Sequence, residues 1–307
     1  MFKHSLTIII PAYNVEDYIK ETLDSLANQT KEPDEIIIID DGSNDKTSKI
    51  IRCHNLIPKI KLIETKNRGQ GAARNIGINQ ATSEYLYFFD SDDLLIDSFV
   101  EHVKQQLVDN NQPDILLFSG KSFLDSMLER TSFNPCYIRP FEGRYNNQND
   151  FLKELVQYPE LSCSPCLYVS HRSIWSDNNL KFNHFYHEDE EIFYPLLFSA
   201  SKYVVSKKVY FLRRIRANST MTGKKGVKHV EGQRAILISL HKLINESRSN
   251  KLKNKLLRRR MGIFTSNYVK VSFETRTKVD KKLLLRSITT SKSLKVLLKV
   301  LMLRKLL

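Results

Sequence analysis

Along the first 120 positions, apolar residues come in short runs, each ended by a polar or charged cluster. Leu6-Thr7-Ile8-Ile9-Ile10 is closed by Pro11, as expected of a strand buried on both faces of a parallel sheet. Residues 16–29 then place Tyr18, Ile19, Leu23 and Leu26 at helical spacing. Ile36-Ile37-Ile38-Ile39 runs into Asp40-Asp41-Gly42-Ser43, and the pattern goes on to predict a helix over 45–53, a strand over 60–64, a helix over 71–81 and a strand from Tyr85 to Phe89. Strands alternating with helices at this interval imply βαβ units with right-handed crossovers, and so an α/β fold whose ligands bind beyond the carboxyl ends of the strands. Residues 11–14, 40–43 and 90–93 all fall at such ends and are expected to converge on one crevice.

The pattern loosens further along. A helix over 99–108 and a buried strand over 114–118 precede an irregular stretch, 119–170, read as antiparallel strands and an acceptor-side wall. Residues 188–200 read as a helix, 204–214 as two short strands or a strand pair, and everything beyond about 228 as helical.

The chain has 307 residues, 41% hydrophobic and 27% charged, which suits one large globular domain or two modest ones. No apolar run approaches the ~20 residues of a spanning helix. The segment before Pro11 lacks the apolar core and cleavage site of a signal peptide, so a cytosolic protein is expected. Four cysteines are too few for a disulfide framework at this length; Cys163-Ser164-Pro165-Cys166 has CxxC spacing but no second pair, and reads as two unrelated cysteines. The net charge of +14 is local: Lys251 to Leu307 hold seventeen lysines and arginines against Glu274 and Asp280, leaving residues 1–250 close to neutral.

The sharpest chemistry lies in Asp90-Ser91-Asp92-Asp93, three carboxylates in four positions directly after an aromatic run. Like charges this close repel unless a cation sits among them, and hard oxygen donors suit Mg²⁺ or Mn²⁺. The alternative is a helix start with an acidic first turn. Both stay open on this stretch alone.

Read together, Leu6 to Asn14, Ile39-Asp40-Asp41-Gly42-Ser43, Gly71-Ala72-Ala73-Arg74-Asn75-Ile76-Gly77 and Asp90-Ser91-Asp92-Asp93 resemble a family 2 glycosyltransferase of the GT-A fold, in the branch that builds bacterial surface polysaccharides such as capsule and O-antigen. The resemblance implies a Rossmann-like, mainly parallel central sheet flanked by helices, with a helical C-terminal extension. It implies inverting transfer of a hexosyl or N-acetylhexosaminyl group from a nucleotide-diphosphate donor, expected to be UDP-linked, to a growing lipid-linked glycan. Pro11 and Tyr13 then border the nucleotide, Asp41 accepts from the uracil N–H, and Arg74 pairs with a phosphate or the base edge. Asp90, Ser91 and Asp92 take the ribose and diphosphate, with Asp92 and Asp93 as direct ligands of Mn²⁺ or Mg²⁺. In His187-Glu188-Asp189-Glu190-Glu191, Asp189 is the implied base for the acceptor hydroxyl and Glu188 an acceptor-side contact, against the simpler reading of an acidic helix start. His184 and His187 read as surface histidines. Arg214 and Arg216, within a basic stretch from Arg213 to Thr222, are candidates for a loop closing over the diphosphate.

Residues 1–225 are thus expected to form the catalytic domain, its donor half about 1–120 and its acceptor half about 121–225, with 226–307 as a basic helical extension. In the last fifteen residues Lys295, Lys299 and Lys305 alternate with Leu294, Leu297, Leu298 and Leu301. That pattern suits a helix lying on an anionic membrane surface at the inner face of the plasma membrane, or one packed on protein. No nucleic-acid motif accompanies the charge. The rival reading is a basic membrane- or nucleic-acid-binding adaptor built on an inactive transferase-like domain.

Overall fold

β-branched residues that avoid helix and fill a two-sided sheet interior make Leu6–Ala12 (β1) a strand buried at every position, with Ile8, Ile9 and Ile10 wholly excluded from solvent. Each such side chain contributes about 2 kcal/mol through burial. The computed structural model describes residues 4–125, 135–158, 161–216, 223–294 and 296–298. After β1 come α1 (Ile19–Ala27), β2 (Glu35–Asp40), α2 (Thr47–Cys53), β3 (Ile60–Glu64), α3 (Gln70–Gln80) and β4 (Tyr85–Phe88). These give four parallel strands in the order β3-β2-β1-β4. Gly77 lets α3 lie directly on β1: a Cβ there would stand 2.3 Å from Ile9 Cγ2.

Beyond β4 the chain runs through β5 (Leu94–Leu95), α4 (Phe99–Asp109), β6 (Ile115–Leu124), β7 (Gly143–Tyr145), α5 (Gln148–Gln157), β8 (Tyr168–His171), α6 (Arg172–Asp177), α7 (Glu188–Ser199) and β9 (Tyr203–Ile215). The second half of the sheet continues β4-β8-β6-β9-β5, with β7 also paired to β9. Here β8 runs antiparallel to both β4 and β6, while β6 and β9 are parallel, so the whole sheet is mixed. The stretch 204–214 is one long strand where two short strands or a strand pair were expected; shifts in its register with β6 between Leu117 and Gly120 absorb the bend without a break. Helix α5 lies in the stretch read as irregular, its Phe151, Leu152, Leu155 and Val156 buried at helical spacing.

By contact the chain divides into two compact units. The first comprises Met1–Gln148, Ser162–His184 and Ile192–Thr222; the second, Asn149–Leu161, Phe185–Glu191 and Gly223–Leu307. The second unit is helical: α8 (Val227–Glu246) and α9 (Lys251–Glu274) form a hairpin over a four-residue turn, and α10 (Lys281–Ser291) packs on both. Asn250 and Asp280 cap α9 and α10 by accepting backbone N–H groups of the first turn. Among the described residues no helix is long and apolar enough to cross a membrane. Of the basic C-terminal segment, residues 295 and 299–307 lie outside the described residues; Val296 is buried with Val269, Leu284 and Ile288.

Candidate active site

Parallel pairing lines up the carboxyl ends of β1, β2 and β4. Ala12 is in register with Asp40, the Asp41 N–H donates to the Ala12 carbonyl (2.8 Å), and the Phe89 N–H donates to the Ile9 carbonyl (2.9 Å). Pro11, Asp41 and Asp90 therefore open on the same edge of the first unit, with Tyr13 exposed beside them.

Asp40 and Asp41 are both buried, yet do different things. Asp40 accepts the Ser43 N–H at 2.9 Å and holds the turn in which Gly42 takes φ +78°. Asp41 accepts the Arg68 and Gly69 N–H groups (2.9 and 2.7 Å) and the Thr65 hydroxyl (3.2 Å). Its carboxylate so fixes the turn leading into α3, where Gly69 adopts φ +90° with open space before it. At this point the carboxylate serves as an anchor for backbone donors, a role the resemblance did not suggest.

Arg74, on α3, is buried, donates to Asp90 Oδ1 at 2.9 Å and lies over the Phe182 ring; Gln70 Nε2 donates to the same oxygen at 2.8 Å. Asp90 is thereby turned toward α3. Its neighbours diverge. Ser91 and Asp93 hand their carbonyls to the Thr22 hydroxyl on α1, and Asp93 is sunk into the protein with 2% exposure. Burial, then the charges of Asp92 and Asp90, push the Asp93 carboxyl well above the usual carboxylate range. Asp92 instead faces Arg216, whose Nε donates to Oδ2 at 2.6 Å.

Asp92 and Asp93, the carboxylates expected to act together, thus have different partners, Arg216 Nε for Asp92 and the Arg214 N–H for Asp93. Among the described residues, the group whose donor atoms lie within 4.8 Å of one another is Asp90, Asp93 and Cys166. Two carboxylate oxygens fit Mg²⁺ or Mn²⁺. The thiol, a soft donor, suits them poorly; burial, then Asp90 and Asp93, raise the Cys166 pKa well above its ordinary value. Cys166 reaches this place on a 3-10 turn (Pro165–Leu167) held by Arg139, which is 1% exposed and donates to the Phe118 and Leu167 carbonyls (2.8 and 2.9 Å). Nothing in the CxxC spacing pointed to Cys166 alone, or to Arg139.

Against the carboxylate turn stand the arginines at the end of β9. Arg214 is buried; its backbone N–H donates to Asp93 (2.7 Å), its Nε to the Asp92 carbonyl (2.8 Å), and its other nitrogens reach Glu21 (2.5 Å) and Asp125 (3.4 Å). With its nitrogens so committed, it frames the carboxylate turn. Arg216 lies over the Tyr18 ring, 5.0 Å from its centre. Arg213 lies over Tyr137; burial alone would lower its pKa, but Tyr137, Asp93 and Asp90 hold it above the ordinary value. Residues 217–222 of the expected closing loop lie outside the described residues.

Glu188 and Asp189 belong to the second unit, in the acidic first turn of α7. Asp189 accepts the N–H of Glu190, and Glu190 is paired with Arg260 of α9. His187 enters the helix at φ +70°, accepts from Gln233 of α8 (3.0 Å), and has its pKa lowered by burial despite Asp189 and Glu190. His184 is exposed.

This edge therefore gathers carboxylates and arginines at the ends of the strands. A model of glycosyl transferase family 2 matches residues 7–165, more than half the chain, and the chain belongs to that family. It is similar to the glycosyltransferase GlyA of Streptococcus pneumoniae serotype 4, with 38% identity over 122 residues, covering 39% of this chain and 17% of that protein. It is also similar to the poly(ribitol-phosphate) β-N-acetylglucosaminyltransferase TarS of Staphylococcus aureus, with 33% identity over 135 residues, 41% of this chain and 23% of TarS. The matches therefore span less than a quarter of either relative. In three dimensions the crystal structure of S. aureus TarS superposes with a TM-score of 0.68 at 20% identity, over 95% of this chain and 50% of that one. A shorter TarS chain solved with UDP-GlcNAc gives 0.63 at 21% identity, over 94% of this chain and 88% of that one. The fold is GT-A with a helical C-terminal region.

Proposed function

We infer that this chain transfers a sugar, hexosyl or N-acetylhexosaminyl, from a UDP-linked donor to a hydroxyl of a surface glycan. What carries this reading is the convergence of Asp90 and Asp93 behind the strand ends, with Arg74 fixed to Asp90 and the Asp41-anchored turn alongside. The UDP and UDP-GlcNAc complexes of TarS favour the same donor.

In the proposed reaction Tyr13 and Pro11 border the base, and Asp41 keeps the 68–69 turn shaped so that its outward side meets the nucleotide. Asp90 and Asp93 would hold Mg²⁺ or Mn²⁺, which supplies positive charge against the diphosphate as it departs. Arg74 and Gln70 keep Asp90 oriented, and Arg214 keeps Asp93 in place, so neither carboxylate has to reorganise as charge develops. Asp189 accepts the proton of the acceptor hydroxyl; that oxygen bonds to the anomeric carbon as the bond to the diphosphate breaks, inverting the centre. Glu188 orients the acceptor, a lipid-linked glycan presented at the inner face of the plasma membrane, where the basic C-terminal segment meets anionic lipid.

A panel of nucleotide sugars, screened for UDP release with Mn²⁺ or Mg²⁺ and for thermal stabilisation, tests the reading. A UDP-sugar should raise the melting temperature only with the divalent ion, and Asp189→Asn should keep that shift while losing transfer. Neither stabilisation nor release with any donor would overturn it.

A further inference from the structure

The basic helices of the second unit contain a cavity of ≈ 410 Å³ on the first half of α9, lined by Arg248, Lys251, Lys255, Arg258 and Arg259. Five cations around one groove is an electrostatic cost unless an anion shares it. No described carboxylate pairs with any of the five. Three are instead oriented by neutral acceptors, the exposed Arg248 by Asn245 Oδ1 at 2.9 Å. Arg258 donates to Asn254 Oδ1 at 2.5 Å and to the Thr290 carbonyl, and Arg259 donates to the Val156 carbonyl. Carbonyl partners orient a guanidinium without cancelling its charge, so Arg258 and Arg259 are pre-set with that charge unspent. Lys251 and Lys255 are exposed, and a second groove of ≈ 440 Å³ shares Lys251 and adds the Asn250 cap of α9. The amino end of this helix adds its own partial positive charge.

The neighbouring chain has a different character. Ser291, at the end of α10, closes the groove, and from there the backbone turns at Lys292 (φ +52°) and crosses α9 at Gly262. A Cβ on Gly262 would stand 3.0 Å from Val296 Cγ2 and 3.7 Å from Ser291 Cβ, so the crossing lies one helical turn beyond Arg258. Val296 is anchored inward, whereas Leu294 and Leu298 are left 69% and 53% exposed. Exposed leucines next to a cationic groove match the two layers of a bilayer surface, acyl chain and phosphate.

We propose that this groove seats the phosphate of an anionic phospholipid headgroup, with Arg258 and Arg259 as its pre-oriented contacts, Lys251 and Lys255 as its rim, and Leu294 and Leu298 inserted beside it. The proposal rests on the membrane placement proposed above and names the residues that perform it. It is independent of the donor, so it can fail while sugar transfer stands, and the reverse.

The test is co-sedimentation of the full chain, without nucleotide, with vesicles of phosphatidylcholine alone or containing phosphatidylglycerol. Arg248→Gln, Lys251→Gln and Lys255→Gln, all at exposed positions, are combined in one variant. A control variant carries Lys49→Gln, Lys61→Gln and Lys207→Gln, removing equal charge from exposed positions of the first unit. The wild type and the control should bind phosphatidylglycerol vesicles, and the groove variant at least tenfold more weakly, with equal melting temperatures and unchanged UDP binding. Equal weakening in both variants would reduce the effect to net charge and overturn the site, as would absence of binding to phosphatidylglycerol vesicles. Protection by millimolar inorganic phosphate with no vesicle binding would overturn the lipid assignment.

Discussion

Arg214 donates its backbone N–H to Asp93 Oδ1 at 2.7 Å across 121 positions of sequence. The contact exists because Leu94-Leu95, the two residues after Asp93, pair antiparallel with Phe211 and Leu212, the residues just before the arginines. One short strand pairing therefore assembles the carboxylate turn against the basic end of β9, and several consequences can be measured.

Replacing Arg214 with Met keeps the backbone contact but removes the guanidinium shared by Glu21, Asp125 and the Asp92 carbonyl. Asp125 is only 5% exposed and would lose this compensating charge. Breaking one partner out of a buried charged set costs about 3 kcal/mol, so urea unfolding should show a clear drop in midpoint with little change in slope.

Asp93→Asn and Asp92→Asn should behave differently. Asp93 shares a donor group with Asp90 and Cys166, whereas Asp92 is held by Arg216. Calorimetric titration with UDP and Mn²⁺ should show at least a tenfold loss of affinity for Asp93→Asn, about 1.4 kcal/mol, and a smaller one for Asp92→Asn. The opposite ranking would restore Asp92 as the ligand.

Gly77→Ala should destabilise without touching the site chemistry. The added methyl meets Ile9 Cγ2 at 2.3 Å in the centre of the sheet. Overpacking of this kind costs about 1–3 kcal/mol, which a thermal melt would register. Gly69→Ala meets no atom but must hold φ +90°, so its cost is backbone strain of about 1–3 kcal/mol, and it distorts the turn held by Asp41.

The helical unit should lose stability in acid through His241. Its ring, on α8, is buried against α10, with Nε2 and Ser287 Oγ at 3.1 Å, and burial, then the neighbouring Arg286, push its pKa down to about 4 from 6.5. Because the folded ring stays neutral where the unfolded one takes up a proton, stability rises with pH in this window. The contribution is complete above about pH 6.5 and is lost as pH falls toward 4, on the order of 3 kcal/mol. Urea midpoints measured from pH 7 to pH 4.5 should fall, and His241→Gln should flatten that fall.

The α/β order and the strand-end motifs were legible because their signals are local: a continuous Ile run, a Pro or Asp at its end, a helical period behind it. Parallel sheets then leave only one edge for residues 11–14, 40–43 and 90–93, so their convergence followed from topology rules. The irregular middle was not legible. Helix α5 carries its apolar face between Asn- and Pro-rich neighbours, and the stretch 149–161 joins the second unit by contacts far along the chain.

By itself the sequence determined the family, the parallel half of the sheet, the edge on which the strand-end motifs gather and the confinement of positive charge to the last helices. Only the tertiary structure decided how the carboxylates divide: Asp90 toward Arg74, Asp92 toward Arg216, Asp93 inward toward Cys166. The same holds for Asp41 as the anchor of the turn before α3. The physical reason is that side-chain direction at a strand end is set by long-range pairing. Leu94-Leu95 on β9 and Thr22 under the carbonyls of Ser91 and Asp93 fix it, and a run of adjacent aspartates carries no trace of either.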